Sequence, residues 1–403
     1  MAVAQGFSKI TTSGSVFMYD TADGVNSFKG KPTTNILQGI SPGVSNTPPY
    51  FLVSYGTESA YIPGLGKSVT VNYCNIYNDY NGGSGQCCPS LFNYGTNFTT
   101  GVTGSTTYTY QIIYRTTDGY YSENYMYRYE YGPSGYITEG GLLSPSRMED
   151  LGDGWIHGWG TFTTNAATTN MYGYLFHYQY ATQNKVQVAG IMLTQGSQVL
   201  RPNQFLPPQA SRSNTQSLLP LISNSSLSVS DVSFNSVGTM TFDGTNDTIG
   251  IASNSNNNIA GDITIEFIVN RTDGYNGVPV HKEVQYTVYI TSNGDISYAD
   301  SSLWSYSTFG FHYSGITPGV FHHVAVTKNG STVTIYVDGN VVISKSFGSA
   351  ITQTSNNLYI GCYNGTNNFF AGQIPVTRLY NRGLTPGEVL NNYNHYKTKY
   401  NLP

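Results

Sequence analysis

Glu266 is the carboxylate best placed on a strand to serve as a catalytic acid, within the run Ile263-Thr264-Ile265-Glu266-Phe267-Ile268-Val269-Asn270. Hydrolysis of a glycosidic bond needs two carboxyl groups that straddle it. No second acid follows in the run, so a structural or edge-strand role is expected for Glu266 and hydrolysis is not. The histidines His157, His177, His281, His312 and His395 are scattered, and only His322 and His323 adjoin. Zinc requires three or four converging ligands, whereas adjacent strand residues point to opposite faces; packing is the expected role of these imidazoles. Cys74, Cys87 and Cys88 crowd the first half and Cys362 stands alone. Buried thiols, or a hairpin disulfide from Cys74 to either Cys87 or Cys88, both fit this spacing. Asp243, Asn246, Asp247, Asp273 and Asp300 supply oxygens of the kind calcium takes, with Asp243, Asp247 and Asp273 the better candidates. They lack the spacing of a chelating loop, and turn capping is their simpler role. No metal or other cofactor is therefore expected, with calcium left open. The segment Asn81-Gly82-Gly83-Ser84-Gly85 has no following Lys-Ser/Thr and reads as a loop tip, not a phosphate cradle.

Aromatic residues carry more information. The chain has 35 tyrosines, and the alternation Tyr125, Tyr127, Tyr129, Tyr131 sets four rings on one face of a strand. Such rings suit core or subunit packing, because tyrosine is rigid and amphipathic. They also suit contact with the C–H faces of sugars.

The elements that position these residues are strands. Alternating β-branched and aromatic runs recur at 106–114, 121–131, 171–180, 185–193, 263–269, 286–290, 323–327 and 332–337, separated by turns such as Asp118-Gly119, Asn293-Gly294, Asn329-Gly330 and Asp338-Gly339. Helical character is confined to the stretch from Pro386 to Tyr393, where Thr385 caps and Glu388 completes a capping box. The fold class read from this pattern is all-β: two antiparallel β-sandwich (jelly-roll) domains in tandem, with one short helix near the C-terminus. Pro202, Pro207 and Pro208, followed by a serine-rich stretch around the apolar knot Leu218-Leu219-Pro220-Leu221-Ile222, read as a linker. The expected division is an arm or attachment segment at 1–45, a sandwich at 46–208, a linker at 209–232 and a second sandwich at 233–403. Charged residues make up 10% of the 403 residues and the formal net charge is -4, so nucleic acid and acidic lipid are poor partners. Neither a secretion signal nor a membrane span is expected.

Residues 240–396 resemble a concanavalin A-like jelly roll of the laminin-G type. The resemblance rests on Met240-Thr241-Phe242-Asp243-Gly244-Thr245-Asn246-Asp247, on the Glu266 strand, on the hairpin from Val320 to Val342, on Leu358-Tyr359-Ile360-Gly361 and on Gly372-Gln373-Ile374 with Arg378-Leu379-Tyr380-Asn381-Arg382-Gly383-Leu384. The tryptophan usual in this group at Phe321 or Ile268 is replaced by another apolar residue. In the first half, the runs 154–163 and 186–196 are similar to the later strands of carbohydrate-binding-module-like jelly rolls. The order of the two modules, with Val16-Phe17-Met18-Tyr19-Asp20 at the start, resembles tailed-phage virion proteins.

That resemblance implies a non-enzymatic structural protein of the virion surface: a head decoration, head fibre or tail-fibre component that displays a lectin-like domain. Its implied partners are further copies of the chain, with a trimer as the first guess, a capsid or tail protein, and a host surface glycan. No insertion into a membrane is implied. A free or cell-attached adhesin is the competing class; a glycoside hydrolase lacks its acids. Rim loops bind ligands in laminin-G-type folds, which singles out Asp243, Asn246, Asp247, Tyr275, Asn276, Tyr363 and Asn364 for the glycan.

Overall fold

The computed structural model describes residues 10–24, 26–35, 43–44, 51–78, 89–90, 102–116, 127–141, 148–174, 183–197, 199–206, 210–222, 226–235, 238–301, 313–346 and 350–403. The chain forms two compact units, one from Thr33–Arg212 and one from Met1–Pro32 with Ser213–Pro403. Every strand pairing among the described residues is antiparallel, in accord with the all-β reading.

The discontinuous unit is a sandwich of an eight-stranded and a seven-stranded sheet. The first sheet runs Ser233–Phe234, Met240–Asp243, Ala371–Tyr380, Ile263–Arg271, His322–Asn329, Thr332–Val337, Asn340–Ser346, and Ser15–Asp20 also pairs with Ala371–Tyr380. The second runs Leu227–Ser230, Thr248–Ile251, Leu358–Ile360, Gly277–Lys282, Tyr286–Ile290, Asp295–Asp300, Tyr313–Ser314. Alternating residues from both sheets, among them Phe242, Ile265, Phe267, Val280, Val288, Val324, Val326, Ile335 and Ile360, meet in one buried core. The turn Asp338-Gly339 has both residues at positive φ, 50° and 77°, the twist a two-residue hairpin demands. Glu266 lies on Ile263–Arg271, which is flanked on both sides, so the edge-strand alternative for it is corrected.

Two expected boundaries also differ from the fold. Of the expected arm at 1–45, the described strand Ser15–Asp20 is not separate: it pairs with Val376–Tyr380 and buries Phe17 and Tyr19 in the C-terminal core. The described residues of 209–232 are not a free linker. Asn214–Ser217 forms one helical turn, Leu218 is fully buried and bridges to Phe28, Ile222 bridges to Met18, and Leu227–Ser230 is a sheet strand. Proline and serine there report turns between packed residues, because leucine burial outweighs the polar composition around it.

The C-terminal helix runs Pro386–Tyr400, well beyond the expected Tyr393. Thr385 and Glu388 form the expected capping box, and Arg382 grips Glu388 through Nη1 at 2.9 Å and Nη2 at 2.6 Å. This contact and the bonds from Thr385 hold the Glu388 carboxyl down at about 2. The helix lies on the outer face of the larger sheet, where Ile268, Val376, Tyr393, Tyr396 and Leu402 cluster with Phe321.

The unit Thr33–Arg212 holds a six-stranded sheet in the order Met148–Gly152, Trp155–Thr163, Thr107–Thr116, Gln183–Gln195, Lys67–Asn78, Phe51–Ile62, and a three-stranded sheet, Asn170–Tyr174, Tyr127–Gly132, Gly135–Gly141. The six-stranded sheet curls. A Cβ added at Gly64, just after one edge strand, would stand 2.8 Å from Leu151 Cδ2 on the opposite edge strand, and one at Gly152 would stand 2.9 Å from Pro63 Cβ. The face enclosed by this curl is concave and carries Ala60, Ile62, Val71, Ile113, Leu151 and Trp155. Of the tyrosine row, Tyr125 lies outside the described residues. Tyr127, Tyr129 and Tyr131 alternate along one strand, and Tyr131 packs edge-on to Tyr136 at 5.8 Å.

Candidate functional site

Three loops meet at one end of the discontinuous sandwich. Strand Met240–Asp243 delivers the turn 243–247 beside Ala371, strand Ile263–Arg271 delivers 272–276, and Leu358–Ile360 delivers the turn 363–368. They are tied together locally. A Cβ on Gly244 would press on the Tyr275 ring at 3.0 Å, Val278 N donates to Asn368 O at 3.1 Å, and Phe370 N donates to Gly361 O at 2.8 Å. Gly244 takes φ of 83°, so both its backbone and the ring above it require glycine.

Within this rim the expected ligand residues divide into two groups. Most act as turn braces. Asp243 Oδ1 accepts from Thr245 N at 2.7 Å, Asp247 Oδ2 accepts from Asp243 N at 2.7 Å, and Asn246 Nδ2 donates to Asp231 Oδ2 at 3.1 Å. Asn276 Oδ1 accepts from Ser292 N at 2.7 Å. Asn364 Oδ1 accepts from His281 Nε2 at 2.8 Å, and the Tyr363 ring lies 4.0 Å from the same imidazole. Tyr275, at 48% exposure, is the expected residue whose ring surface stays open to solvent. Asn367 and Asn368, in the expected contact loop from Tyr363 to Asn368, are exposed on its turn.

Electrostatics at the rim follow from burial. Desolvation pushes the Asp247 carboxyl up to about 6 against the bond from Asp243 N, with Asp243 and Asp231 adding repulsion. Burial drives His281 down to about 4. The neutral ring is fully satisfied, because Nε2–H donates to Asn364 while Nδ1 accepts the Thr287 hydroxyl at 2.7 Å. Of the calcium candidates, Asp243 and Asp247 spend oxygens on backbone N–H groups. Asp273 points out at 80% exposure toward Arg271, 3.5 Å away. Among the described residues no group of three or more His, Cys, Asp or Glu is placed to hold a metal ion.

Glu266 lies away from this rim, beneath the C-terminal helix. His323 Nε2–H donates to its Oε1 at 2.7 Å, while Tyr380 and Asn392 donate to Oε2 at 3.2 and 3.0 Å. Burial alone would raise this carboxyl, but the His323 bond and the nearby Arg378 guanidinium carry it below its usual range. His322 turns to the other side, with Nδ1–H on Asp338 Oδ2 at 2.7 Å. Asp300 is closed by Lys328 at 2.6 Å, both side chains fully buried. His157 is buried against Glu149 at 3.3 Å. Cys362 is a buried free thiol pushed up to about 12 by desolvation. Cys87 and Cys88 lie outside the described residues, so the Cys74 pairing does as well.

Residues 243–390 match the laminin-G-type model of the concanavalin A-like lectin/glucanases superfamily. No curated protein sequence matches the chain. Similar solved structures include the binding domain of botulinum neurotoxin serotype G, with 17% identity over 44% of this chain and 48% of that one and a TM-score of 0.36. Domain 4 of an extracellular arabinanase from Geobacillus stearothermophilus, in complex with arabinotriose, has 16% identity over 43% of this chain and 84% of that one, with a TM-score of 0.31. A mutant Trypanosoma rangeli sialidase has 11% identity over 47% and 31%, with a TM-score of 0.33. The chain thus spans 48% of the neurotoxin binding domain it matches. The sandwich that builds the rim is, through residues 243–390, similar to the concanavalin A-like lectins and glucanases.

Proposed function

We propose that this chain is a non-enzymatic structural protein of a tailed-phage virion surface, in which the C-terminal sandwich attaches to a host glycan through its rim. The observation that carries the glycan reading is the rim itself. The Tyr275 ring stands exposed over Gly244, and Asn367 and Asn368 are exposed on a neighbouring loop of the same rim, in a domain similar to lectins. A ring for C–H stacking and amides for hydroxyl groups are what a neutral sugar needs. Binding without cleavage is supported by Glu266, which is 1% exposed and spent on His323, Tyr380 and Asn392. Virion placement and a capsid or tail partner rest on the order of the sequence motifs, and the trimer on analogy with phage fibres.

Each polar contact contributes about 1 kcal/mol net, so one rim binds weakly and many copies act together. A glycan array probed with the multimerised chain tests the site: Tyr275→Ala should abolish the signal with folding retained. An unchanged signal would demote the rim to a structural cap. Detection of the chain in purified particles separates a virion protein from a free or cell-attached adhesin.

A further inference from the structure

Lys328 and Asp300 meet between the two sheets of the discontinuous sandwich. Lys328 lies on His322–Asn329 of the larger sheet, in step with the core residues Val324 and Val326, and Asp300 ends Asp295–Asp300 of the other, in step with Ile296 and Tyr298. Period-two alternation therefore turns both side chains into the space between the sheets. There Lys328 Nζ stands 2.6 Å from Asp300 Oδ2, and both side chains are 0% exposed. The same oxygen accepts the Tyr298 hydroxyl at 3.2 Å.

The neighbouring strands supply apolar walls. Ile263 and Val333 are the cross-strand neighbours of Lys328, Tyr286 is that of Asp300, and all three are buried. Among the described residues, the other lysine–carboxylate pairs, Lys185 with Glu58 and Lys399 with Asp20, leave the lysine partly exposed. A buried ion pair commonly stabilises less than apolar side chains that fill the same space, so two opposite charges are a poor device for holding these sheets together. An amide between the same two groups carries no charge and keeps the contact.

We infer that Lys328 and Asp300 condense to an intramolecular amide that links the two sheets covalently. One proton passes along the contact from the ammonium to the carboxylate, which sets a neutral amine against a carboxylic acid; an apolar interior favours uncharged groups. The Nζ lone pair attacks Cγ, a C–N bond forms, and one carboxyl oxygen departs as water. Of the three ammonium protons, two leave in that water and one stays on the amide nitrogen; nothing is oxidised or reduced. The Tyr298 hydroxyl, donating to Oδ2, supports the negative charge that builds on this oxygen during attack. Burial holds that hydroxyl well above the usual tyrosine range, so it remains a proton donor. Groups held in reacting contact reach effective molarities of about 10⁵ to 10⁸ M, and exclusion of water from the core opposes hydrolysis of the product.

Mass spectrometry of the full chain tests this. The folded protein, denatured for measurement, should be lighter than its sequence by one water. No Lys or Arg lies between 282 and 328, and the next after Lys328 is Lys345. An acylated Lys328 resists trypsin, so 283–345 should emerge as one peptide, and further digestion with chymotrypsin should leave the segments holding Asp300 and Lys328 joined. Chain kept in denaturant since synthesis should have the full mass and lose the water on refolding, at least about tenfold more slowly in Tyr298→Phe. The double variant Lys328→Met, Asp300→Leu should keep the full mass. These masses are read on denatured chain, and the parent protein alone decides the proposal even where a variant folds poorly. A folded parent chain of full mass, cleavage after Lys328 into 283–328 and 329–345, or separation of the two segments by chymotrypsin would overturn it; an unslowed Tyr298→Phe would overturn the part given to the tyrosine.

Discussion

Removing residues 1–32 should unfold the C-terminal sandwich, although most of that sandwich lies some two hundred residues further along the chain. Ser15–Asp20 fills the larger sheet beside Val376–Tyr380, and Phe17, Tyr19 and Phe28 are each no more than 1% exposed. Burial of one large apolar side chain is worth roughly 1.5 to 3 kcal/mol, so these three together contribute roughly 5 to 9 kcal/mol. That is comparable with the whole stability of a domain, about 5 to 15 kcal/mol. Polar ties add to it. Tyr19 Oη donates to Ile374 O at 2.8 Å, Thr11 N donates to Asn392 Oδ1 at 2.8 Å, and Lys399 Nζ reaches Asp20 Oδ2 at 2.8 Å. The assay compares three proteins by circular dichroism and thermal melting: residues 213–403 alone, the full chain, and a circular permutant in which a short linker joins 403 to 10 and the chain ends at 32. The permutant should fold cooperatively because the Lys399–Asp20 and Thr11–Asn392 contacts bring its joined ends close. The fragment alone should show no cooperative transition. A fragment 213–403 that melts like the permutant would refute the reasoning.

Four further outcomes follow from single groups. The folded-state imidazole of His281 is lowered to about 4 from the usual 6.5, so its contribution is complete above 6.5 and lost as pH falls toward 4; denaturant titrations over that window should show the loss, and His281→Gln should flatten it. Lys282 is buried on Ser253 Oγ and Asn356 O and lowered by desolvation to about 8; the unfolded chain binds that proton more tightly, so the contribution of Lys282 should grow from pH 8 to 10.5, read as the stability difference between the protein and Lys282→Met across that window. Asp247 is raised to about 6 by burial; Asp247→Asn keeps an acceptor for Asp243 N and should stabilise by about 1 kcal/mol above pH 6, read as a higher Tm. Val284 sits exposed at φ of 60° where the other described non-glycine residues at positive φ are Ser, Asp or Asn; Val284→Asn should stabilise by about 1 kcal/mol in chemical denaturation.

Local patterns carried the strands, the hairpin turns and the start of the C-terminal helix. Period-two runs such as Ile263 to Val269 and the Asp338-Gly339 turn depend on residues a few positions apart, and the capping box depends on Thr385 and Glu388 alone. The laminin-G-type resemblance was legible because those local signals recur in a set order. The end of the helix was not, since Tyr396 is held by Arg378 and Tyr400 by Asp20, partners far outside any helical window. Composition misled at 209–232, where a few buried leucines outweigh the serines around them.

At the candidate sites, the sequence by itself determined which residue types stand close together along the chain: no second acid follows Glu266 on its strand, and only His322 and His323 adjoin. What each remaining polar group does was decided by the tertiary structure. Asp243, Asn246, Asp247, Asn276 and Asn364 share composition with ligand-binding loops, yet their partners are Thr245 N, Asp231, Asp243 N, Ser292 N and His281. In the other unit, Tyr73, Gln187 and Arg115 are direct cross-strand neighbours although their strands are spread from residue 67 to 195. Period-two alternation says that each of those side chains shares a face with its neighbours two positions away. It says nothing about which strand lies alongside, because register is set by burial of the apolar face and by the curl of the sheet.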